Sequence, residues 1–569
     1  MLALLLPLLP LPTPVAAAAG AADRAADGAA ATATAASPTV ASPPAASPAR
    51  IGQASQGELI YRLGRLANGQ PVQAQRSGGG GALPPHAAAC VACHRPSALG
   101  GIEGGVLVPP ITGRLLFAAG MPPSQHPRLQ RQWLRHQTRG AYSSALLARA
   151  LQVGLDPDGT ALQAAMPRYQ LDAQALADLE AYLRSRGDAP ISGLQDGVMH
   201  LASVVTPQAP PARRSVVELA MQRWAQQLSL GGARVRWRVW ALQGDAATWG
   251  PQLQAFWQAQ PVYAVLSGAG GADWAPVQAW CEGQHLPCLF PLIDRVPAAD
   301  AHHWSLYLSA GVEGEARMLA QRLATLQPRP ARVLQVHSGA AGAAAAQVLG
   351  DALRTSLPDV LALDLAAACP TSADDVVVLW LPSPTAEAWL AAQPVPGGTD
   401  AGTGAGTGGT GGALGAVGAL GAGPRIVLSA QLAPPQHTSV PAAWRRRVLW
   451  ISQRADPVRE AAAAAISRVP WAQRLGLPPG LDPVALADVH AATFFFGDAL
   501  AQARGVLDPD YLLERLELAV DRRPAGGGYF RLSLGPSQRI AAQGGHLLAF
   551  RPPDFEQLAP LPGYLRADD

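Results

Sequence analysis

The sequence predicts a multidomain protein in which a helical domain precedes a larger α/β domain. Its 569 residues exceed one typical core, because domains average roughly 100 to 200 residues. Apolar residues recur at helical spacing between residues 53 and 188, where no strand pattern stands out. After Gly187, short aliphatic runs alternate with helical patterns. Such alternation is typical of a parallel sheet that is covered by helices on both faces.

The composition indicates a globular protein and argues against nucleic acid as a partner. Apolar residues make up 49% of the chain and charged residues 15%. The 43 basic residues are all arginine, are scattered among 40 acidic ones and leave a net charge of +3. Nucleic-acid binding usually requires a basic patch or stripe, and the sequence has none.

The N-terminus predicts export. Residues 1–22 combine an apolar run with small residues, which resembles a signal peptide, although no basic residues precede the run. A start upstream, or a Pro-rich tail without a targeting role, is the alternative. Four prolines interrupt the run, so we expect no membrane span here. Residues 23–52 are rich in Ala, Pro and Ser and predict a disordered linker.

The strongest functional signal is the sequence HAAACVACH at residues 86–94, which contains the pattern C-x-x-C-H. Two thiols at this spacing can bond to the two vinyl groups of one haem, and the next residue can then give its imidazole to the iron. The alternatives are a redox C-x-x-C or half of a zinc site, but no second cysteine pair is present. We therefore expect Cys90 and Cys93 to attach one haem c covalently and His94 to bind its iron.

A second iron ligand is needed for a six-coordinate electron carrier. The same domain offers Met121, Met166, His86, His126 and His136. Met166 is the preferred candidate, because a Met-Pro pair in a loop just before a helix can hold the thioether against the iron. The alternative is that this methionine only fills the core. Thioether ligation raises the reduction potential and favours electron transfer over oxygen chemistry.

Residues 54–187 resemble a class I cytochrome c domain. The resemblance implies an all-α fold in which Gly57 and Tyr61 of the first helix cross the last helix at Leu179, Tyr182 and Leu183. It is carried by Gly57, Tyr61, CVACH, Pro109-Pro110-Ile111, RGAYSSALLARALQVGLDPDGTAL, Met166-Pro167-Arg168-Tyr169 and LADLEAYL.

The second domain is predicted to cover residues 197–550, with a C-terminal tail at 551–569. Residues 396–423 consist largely of Gly, Thr and Ala and predict a disordered insertion. The predicted strands are VMHLASVV, RVRWRVW, VYAVLSG, PCLFPL, WSLYLS, RVLQVHS, VVVLWL and RIVLS.

This second domain resembles type I periplasmic solute-binding proteins of the branched-chain amino-acid receptor kind. The carriers are PVYAVLSGAGGADWAPVQAWCEGQHLPCLFPLIDR, HHWSLYLSAGVEGEARMLAQRL and ARVLQVHSG. The resemblance implies two α/β lobes that close on a small molecule, with Ser267, Gly268, Tyr307 and Ser309 at the cleft. The stretch VVTPQAPPARRS replaces the Ser-Gly loop usual in that family, which puts amino-acid binding in doubt. The domain then binds another ligand or serves as a docking scaffold.

Three further cysteines lie in the second domain. Cys281 and Cys288 are seven positions apart and are predicted to form a disulfide in an oxidising compartment, the alternative being two buried thiols. Cys369 has no predicted partner.

These observations predict a periplasmic electron-transfer protein that is not an enzyme and that works with an unidentified redox partner. Its second domain docks that partner or recognises a small molecule. One alternative is a ligand receptor in which the haem is a redox reporter or structural element. A haem enzyme would instead need an open position on the iron.

Overall fold

The computed structural model describes most of the chain after residue 50. Several predictions lie outside the described residues, namely the signal peptide, nearly all of the linker, the insertion at 396–423, Met121, His126, His136 and Cys369. The described residues are 51–76, 81–103, 106–120, 138–187, 190–230, 233–298, 303–357, 359–368, 372, 374–394, 425–522 and 528–567.

The first domain is mainly helical. Its helices are α1 Ala54–Leu63, α2 Pro85–Ala88, α3 Val91–His94, α4 Gly113–Leu116, α5 Ser144–Gln152 and α6 Ala173–Ser185. Its strands are β1 Gln73–Gln75, β2 Gly101–Glu103, β3 Val106–Val108 and β4 Arg168–Gln170. β1 pairs with β4 and β2 with β3, both antiparallel. The expectation of a domain without strands was wrong, because three-residue strands are too short to show an alternating pattern.

The predicted crossing of the first and last helices is confirmed. A Cβ atom at Gly57 would lie 2.1 Å from the carbonyl oxygen of Asp178, so the backbones of α1 and α6 approach too closely for any side chain. Next to this contact, the rings of Tyr61 and Tyr182 are 5.2 Å apart. Leu179 is buried in the same apolar cluster. This crossing holds the two ends of the domain together.

Subdomain 1, residues 190–309 and 457–541, contains the first large sheet. Its strands are β5 Leu194–Gln195, β6 Val198–Val205, β7 Ser229–Leu230, β8 Ala233–Ala241, β9 Ala264–Leu266, β10 Cys288–Leu289 and β11 Ser305–Leu306. The order is β11-β10-β9-β6-β8-β7, in which the strands from β11 to β8 run parallel. The edge strand β7 is antiparallel to β8, and β5 is antiparallel to β6. The helices are α7 Pro211–Gln227, α8 Trp249–Ala259, α9 Ala275–Gly283, and, from the later segment, α13 Pro457–Ala463, α14 Val469–Arg474, α15 Pro483–Ala503 and α16 Pro509–Arg522.

Subdomain 2, residues 310–456 and 542–567, contains the second large sheet. Its helices are α10 Gly311–Thr325, α11 Gly339–Leu353 and α12 Ser383–Ala392. Its strands are β12 Arg332–His337, β13 Val360–Ala362, β14 Asp375–Trp380, β15 Arg425–Ser429, β16 Val448–Ser452, β17 Gly544–Phe550, β18 Leu558–Pro560 and β19 Leu565–Arg566. The order is β13-β12-β14-β15-β16-β17-β18, and the first five are parallel.

Residues 551–569 are not simply a tail, because β18 and β19 both pair with β17. These strands have only three and two residues, and β18 contains Pro560, so the sequence shows no strand pattern here.

The chain passes between the two subdomains three times, and the three passages are bonded to one another. Tyr307 forms a parallel bridge with Ile540, and Arg454 an antiparallel bridge with Tyr529. The buried side chain of Gln453 accepts a hydrogen bond from the amide of Ala310 at 2.9 Å. These crossing segments therefore form one hydrogen-bonded connection between the subdomains.

Helix α15 is the one described helix that is long and apolar enough to cross a membrane, and 67% of its most apolar stretch is buried inside the protein. It packs against α7 in the core of subdomain 1.

Substitution of Gly57 by alanine tests the helix crossing. Because the new Cβ would overlap backbone atoms of α6, we expect the free energy of unfolding to fall by about 1–3 kcal/mol. Gly497→Ala in α15 is the matched control, since nothing lies within 4 Å of its Cβ position. There alanine should stabilise the helix by up to about 1 kcal/mol. Equal effects in urea-induced unfolding would contradict the tight crossing.

Candidate haem-binding site

The C-x-x-C-H motif forms a short helical turn near the surface of the first domain. The carbonyl oxygen of Cys90 accepts the amides of Cys93 at 3.2 Å and His94 at 2.9 Å. The Cys90 side chain is buried in the apolar cluster, whereas Cys93 is exposed. Burial raises the pKa of the Cys90 thiol to about 12. This buried position therefore favours an uncharged sulfur, such as that of a thioether, over a thiolate.

His94 is oriented by the loop that follows β3. Its ring is buried, and Nδ1 donates a hydrogen bond to the carbonyl oxygen of Pro109 at 2.9 Å. This bond leaves Nε2 with the lone pair that a metal requires. Burial lowers the pKa of His94 to about 4, so the imidazole is neutral at pH 7.

These three residues fit a covalently attached haem. Two sulfur atoms and one oriented imidazole in a single turn are the donor set that c-type attachment uses. Haem bound here would be held by Cys90, Cys93 and His94.

Met166 borders the same apolar cluster that contains Cys90. Its side chain is half-buried, and its carbonyl oxygen accepts a hydrogen bond from Arg168 at 2.6 Å, which fixes the loop. The structure thus brings Met166 to the core around the motif. Its role as the second iron ligand stays a prediction.

Two buried tyrosines hold the backbone on either side of the motif. The hydroxyl of Tyr169 donates to the carbonyl oxygen of Ala88 at 3.0 Å, and that of Tyr61 to the carbonyl oxygen of Arg95 at 2.6 Å. Both tyrosines belong to the resemblance to class I cytochrome c, but their hydrogen bonds are not visible in the sequence. The motif is therefore positioned from the first and last thirds of the domain.

The loop after His94 is covered by helix α16 of subdomain 1. The amide of Ser97 donates to Glu514 at 3.0 Å, and both residues are buried. Leu99 and Leu115 of the first domain pack against Tyr511. The haem-binding turn and the α/β part thus form one continuous structure.

A buried carboxylate, Asp510, joins the two parts. Arg62 and Arg186 of the first domain contact it at 2.8 and 2.9 Å, and His303 of subdomain 1 contacts it at 2.6 Å. Burial alone would raise the pKa of Asp510. The charge of Arg62, together with His303 and Arg186, outweighs burial and holds the pKa well below its usual range. The carboxylate is therefore ionised at neutral pH.

His303 links Asp510 to the crossing segments. Arg539 donates a hydrogen bond to the carbonyl oxygen of His303, and its guanidinium also binds Glu517 at 2.6 Å. The carbonyl oxygen of Arg539 accepts the amide of Tyr307, where two crossing segments meet. None of these roles was visible in the sequence, because the partners lie up to 448 residues apart.

The cleft between the subdomains is filled by side chains of the protein itself. Arg454 contacts Asp488 at 2.5 Å, and the hydroxyl of Tyr529 donates to the same carboxylate at 3.1 Å. Gln431 reaches across from subdomain 2 to the carbonyl oxygen of Ile293 at 3.0 Å. The remaining cavity is about 50 Å³. The two subdomains are thus bridged directly across the cleft, and we call this the closed arrangement.

Of the four predicted cleft residues, Ser309 lines this cavity. Tyr307 points away from it, because its hydroxyl donates to Gln278. Ser267 is fully buried, and a Cβ on Gly268 would lie 2.7 Å from the ring of Trp274. Ser267 and Gly268 therefore pack in the interior of subdomain 1 and do not line the cavity.

Cys281 and Cys288 form a disulfide that connects α9 to β10, with a Cα–Cα distance of 6.3 Å. The bond fixes the end of the helix against the sheet.

Comparison with known families identifies the first domain. Residues 85–187 match the model of the cytochrome c family. The protein therefore contains a cytochrome c domain. No curated protein matches the sequence.

Several solved structures are similar to part of the chain. A branched-chain amino acid ABC transporter protein from Thermus thermophilus, with bound valine, shares 12% identity at a TM-score of 0.45 and covers 66% of this chain and 97% of its own. A solute-binding protein from Rhodopseudomonas palustris BisB5, in complex with 3,4-dihydroxybenzoic acid, shares 11% identity at a TM-score of 0.45. The match covers 65% of this chain and 98% of that protein. An extracellular ligand-binding receptor from Verminephrobacter eiseniae shares 11% identity at a TM-score of 0.41. The match covers 62% of this chain and 98% of that protein.

Removal of the Asp510 charge tests the domain boundary. Asp510→Asn removes the fully buried charge that Arg62 and Arg186 share and leaves them only the partly exposed Glu58 and Asp508. We therefore expect a loss of about 3–5 kcal/mol in the free energy of unfolding. Asp351→Asn is the control, because its pair with Arg354 is exposed, and exposed pairs contribute about 0–1 kcal/mol. Equal losses in the two variants would show that the boundary does not depend on Asp510.

Glu315 predicts a pH dependence of stability. Burial raises the pKa of Glu315 to about 8, although hydrogen bonds from Ser429 and Gln431 lower it in part. A raised carboxyl pKa stabilises the fold below about pH 4.5, and this contribution is lost as the pH rises to about 8. Glu315→Gln should flatten this slope in chemical unfolding between pH 5 and 8, whereas Glu556→Gln, at an exposed position, should keep it. A slope unchanged in Glu315→Gln would contradict the assignment.

Proposed function

We propose that the protein is an exported electron-transfer protein that carries one covalent haem c in its cytochrome c domain. The observation that carries the proposal is the turn that contains Cys90, Cys93 and His94. The imidazole of His94 is fixed by its hydrogen bond to the carbonyl oxygen of Pro109. The haem supplies reversible one-electron chemistry when bound. His94 would ligate the iron, and Cys90 and Cys93 would attach the macrocycle next to the apolar cluster that contains Cys90.

Met166 is the second iron ligand in this proposal. Its place at the edge of the cluster around Cys90, in a loop fixed by Arg168, supports the assignment. With His94 and Met166 both bound to it, the iron would have no position left for a substrate, so we propose a carrier and not an enzyme. A separate redox partner protein supplies and removes the electron.

Export to the periplasm is supported by two features. The disulfide between Cys281 and Cys288 is a bond that persists in oxidising compartments. The apolar run at residues 1–22 supplies a targeting signal of the secretory kind.

The two α/β subdomains form a two-lobed domain for small-molecule recognition or partner docking. A ligand reaches the cleft only when the lobes separate, because Gln431 and Arg454 bridge it in the closed arrangement. Opening breaks these bonds, and a suitable ligand replaces them.

A second candidate function is a ligand receptor in which the haem reports occupancy. The contacts from Asp510 through His303 and Arg539 to the crossing segment at Tyr307 favour it, since they connect the lobes to the cytochrome c domain. Thermal shift against a panel of amino acids, carboxylates, alcohols and amines distinguishes the two. A large shift with one compound, accompanied by a changed reduction potential, identifies the receptor.

Spectroscopy of the purified protein tests the haem assignment. The reduced protein should show c-type absorption bands, and the haem should stay attached after denaturation, because both cysteines form thioethers. A spectrum without c-type bands would overturn the proposal.

Met166→Ala tests the second ligand. The variant should keep its covalent haem, lose the thioether, show a lower reduction potential and bind carbon monoxide rapidly. Met318→Leu is the control, because Met318 is a core methionine of subdomain 2 and should leave spectrum and potential unchanged. A Met166→Ala protein with the wild-type spectrum and potential would contradict the assignment.

A further inference from the structure

A ligand-sized crevice lies between the cytochrome c domain and subdomain 1. Its volume is about 590 Å³, compared with about 50 Å³ for the cleft between the subdomains. Pockets that bind small molecules usually measure roughly 300–1,000 Å³. The closed structure therefore offers room for a small molecule at the domain boundary.

One wall of this crevice is aromatic and the other is polar. Subdomain 1 contributes the rings of Trp257, Tyr263 and Trp304. The cytochrome c domain contributes the hydroxyl-bearing residues Ser97 and Thr112. A flat aromatic ring with a polar substituent matches this combination of surfaces.

The hydroxyl of Tyr263 has no partner. The side chain is 1% exposed, and its oxygen makes no hydrogen bond. A buried donor that is left unsatisfied is costly and is usually explained by a missing partner. Tyr263 lines the crevice, so a ligand bound there can supply the missing acceptor.

Asp508 supplies the complementary acceptor. It lines the same crevice and is held by Arg186 at 2.9 Å. Burial raises the pKa of Asp508 to about 6, so it is largely ionised at neutral pH. The pKa of the Tyr263 hydroxyl is raised first by burial and second by the charge of Asp508. A single group that accepts from Tyr263 and donates to Asp508 satisfies both residues.

A phenolic hydroxyl is such a group, since it accepts and donates at one oxygen. A carboxylate has no proton to donate to Asp508. We infer that the crevice is a second ligand site, separate from the cleft between the subdomains, and that it binds a small uncharged phenol. The phenol ring lies against the tryptophans, and its hydroxyl lies between Tyr263 and Asp508.

Occupancy of the crevice acts directly on the haem-binding turn. Ser97 follows His94 by three residues, and Thr112 follows Pro109, the partner of His94, by three. The same two loops therefore hold the iron ligand and form the ligand site. A bound phenol should alter the absorption of the haem as well as the stability of the boundary.

Isothermal titration of the full-length holoprotein with methyl 4-hydroxybenzoate, at pH 7, tests the site. This probe carries an uncharged phenol. One molecule should bind per chain and shift the haem absorption. Tyr263→Phe should weaken binding at least tenfold because it removes the donor, and Trp257→Leu should weaken it by removing a wall. Tyr564→Phe makes the same chemical change at an exposed tyrosine of subdomain 2 that does not line the crevice, and this variant should bind the probe as the wild type does.

A second readout separates ligand binding from a structural role of Tyr263. Without the probe, Tyr263→Phe should be at least as stable to heat as the wild type, because the unsatisfied hydroxyl is gone. With the probe, the wild type should gain stability and the variant should not. Absence of binding at millimolar probe, or binding that either crevice variant leaves unchanged, overturns the proposal. These measurements do not depend on the identity of the second iron ligand, so their failure is distinct from failure of the electron-transfer proposal.

Discussion

The buried carboxylate of Asp510 is the interaction on which the arrangement of the protein depends. It lies on α16 of subdomain 1, is fully shielded from solvent and is contacted by Arg62, Arg186 and His303. A charge in such a position is stable only when its counter-charges are held at short distance. The two arginines come from opposite ends of the cytochrome c domain, at the end of α1 and just after α6. The carboxylate can therefore be satisfied only when that domain is folded and docked.

The same helix places the haem-binding turn. Glu514 is one turn further along α16 than Asp510 and binds the amide of Ser97. The α/β part thus contacts both the crossing of α1 and α6 and the loop that follows His94. His303 and Arg539 extend this set of contacts to the segments that connect the subdomains. Two parts of the chain that look independent in sequence share one continuous polar and apolar boundary.

Local sequence was sufficient to predict the features that depend on neighbouring residues. The motif at residues 90–94, the main helices and the longer parallel strands all follow from spacing and periodicity. The short pairs β1–β4 and β2–β3 were missed because three residues carry no pattern. The ion pairs of Asp510 were missed for a different reason, since their partners are hundreds of residues away. Tyr307 and Gly268 were placed at the cleft by resemblance, but their side-chain environment depends on Gln278 and Trp274, which pattern analysis does not reveal.

If the protein carries electrons as proposed, the cover that α16 provides over Ser97 and Leu99 restricts how electrons would enter and leave. On that side the haem-binding turn is sealed by a protein surface that belongs to the same chain. Cys93, in contrast, is exposed. A second protein that exchanges electrons with a haem attached here would therefore approach from the Cys93 side. The fusion gives the cytochrome c domain a fixed orientation, with one face turned inward and another left free for transient encounters.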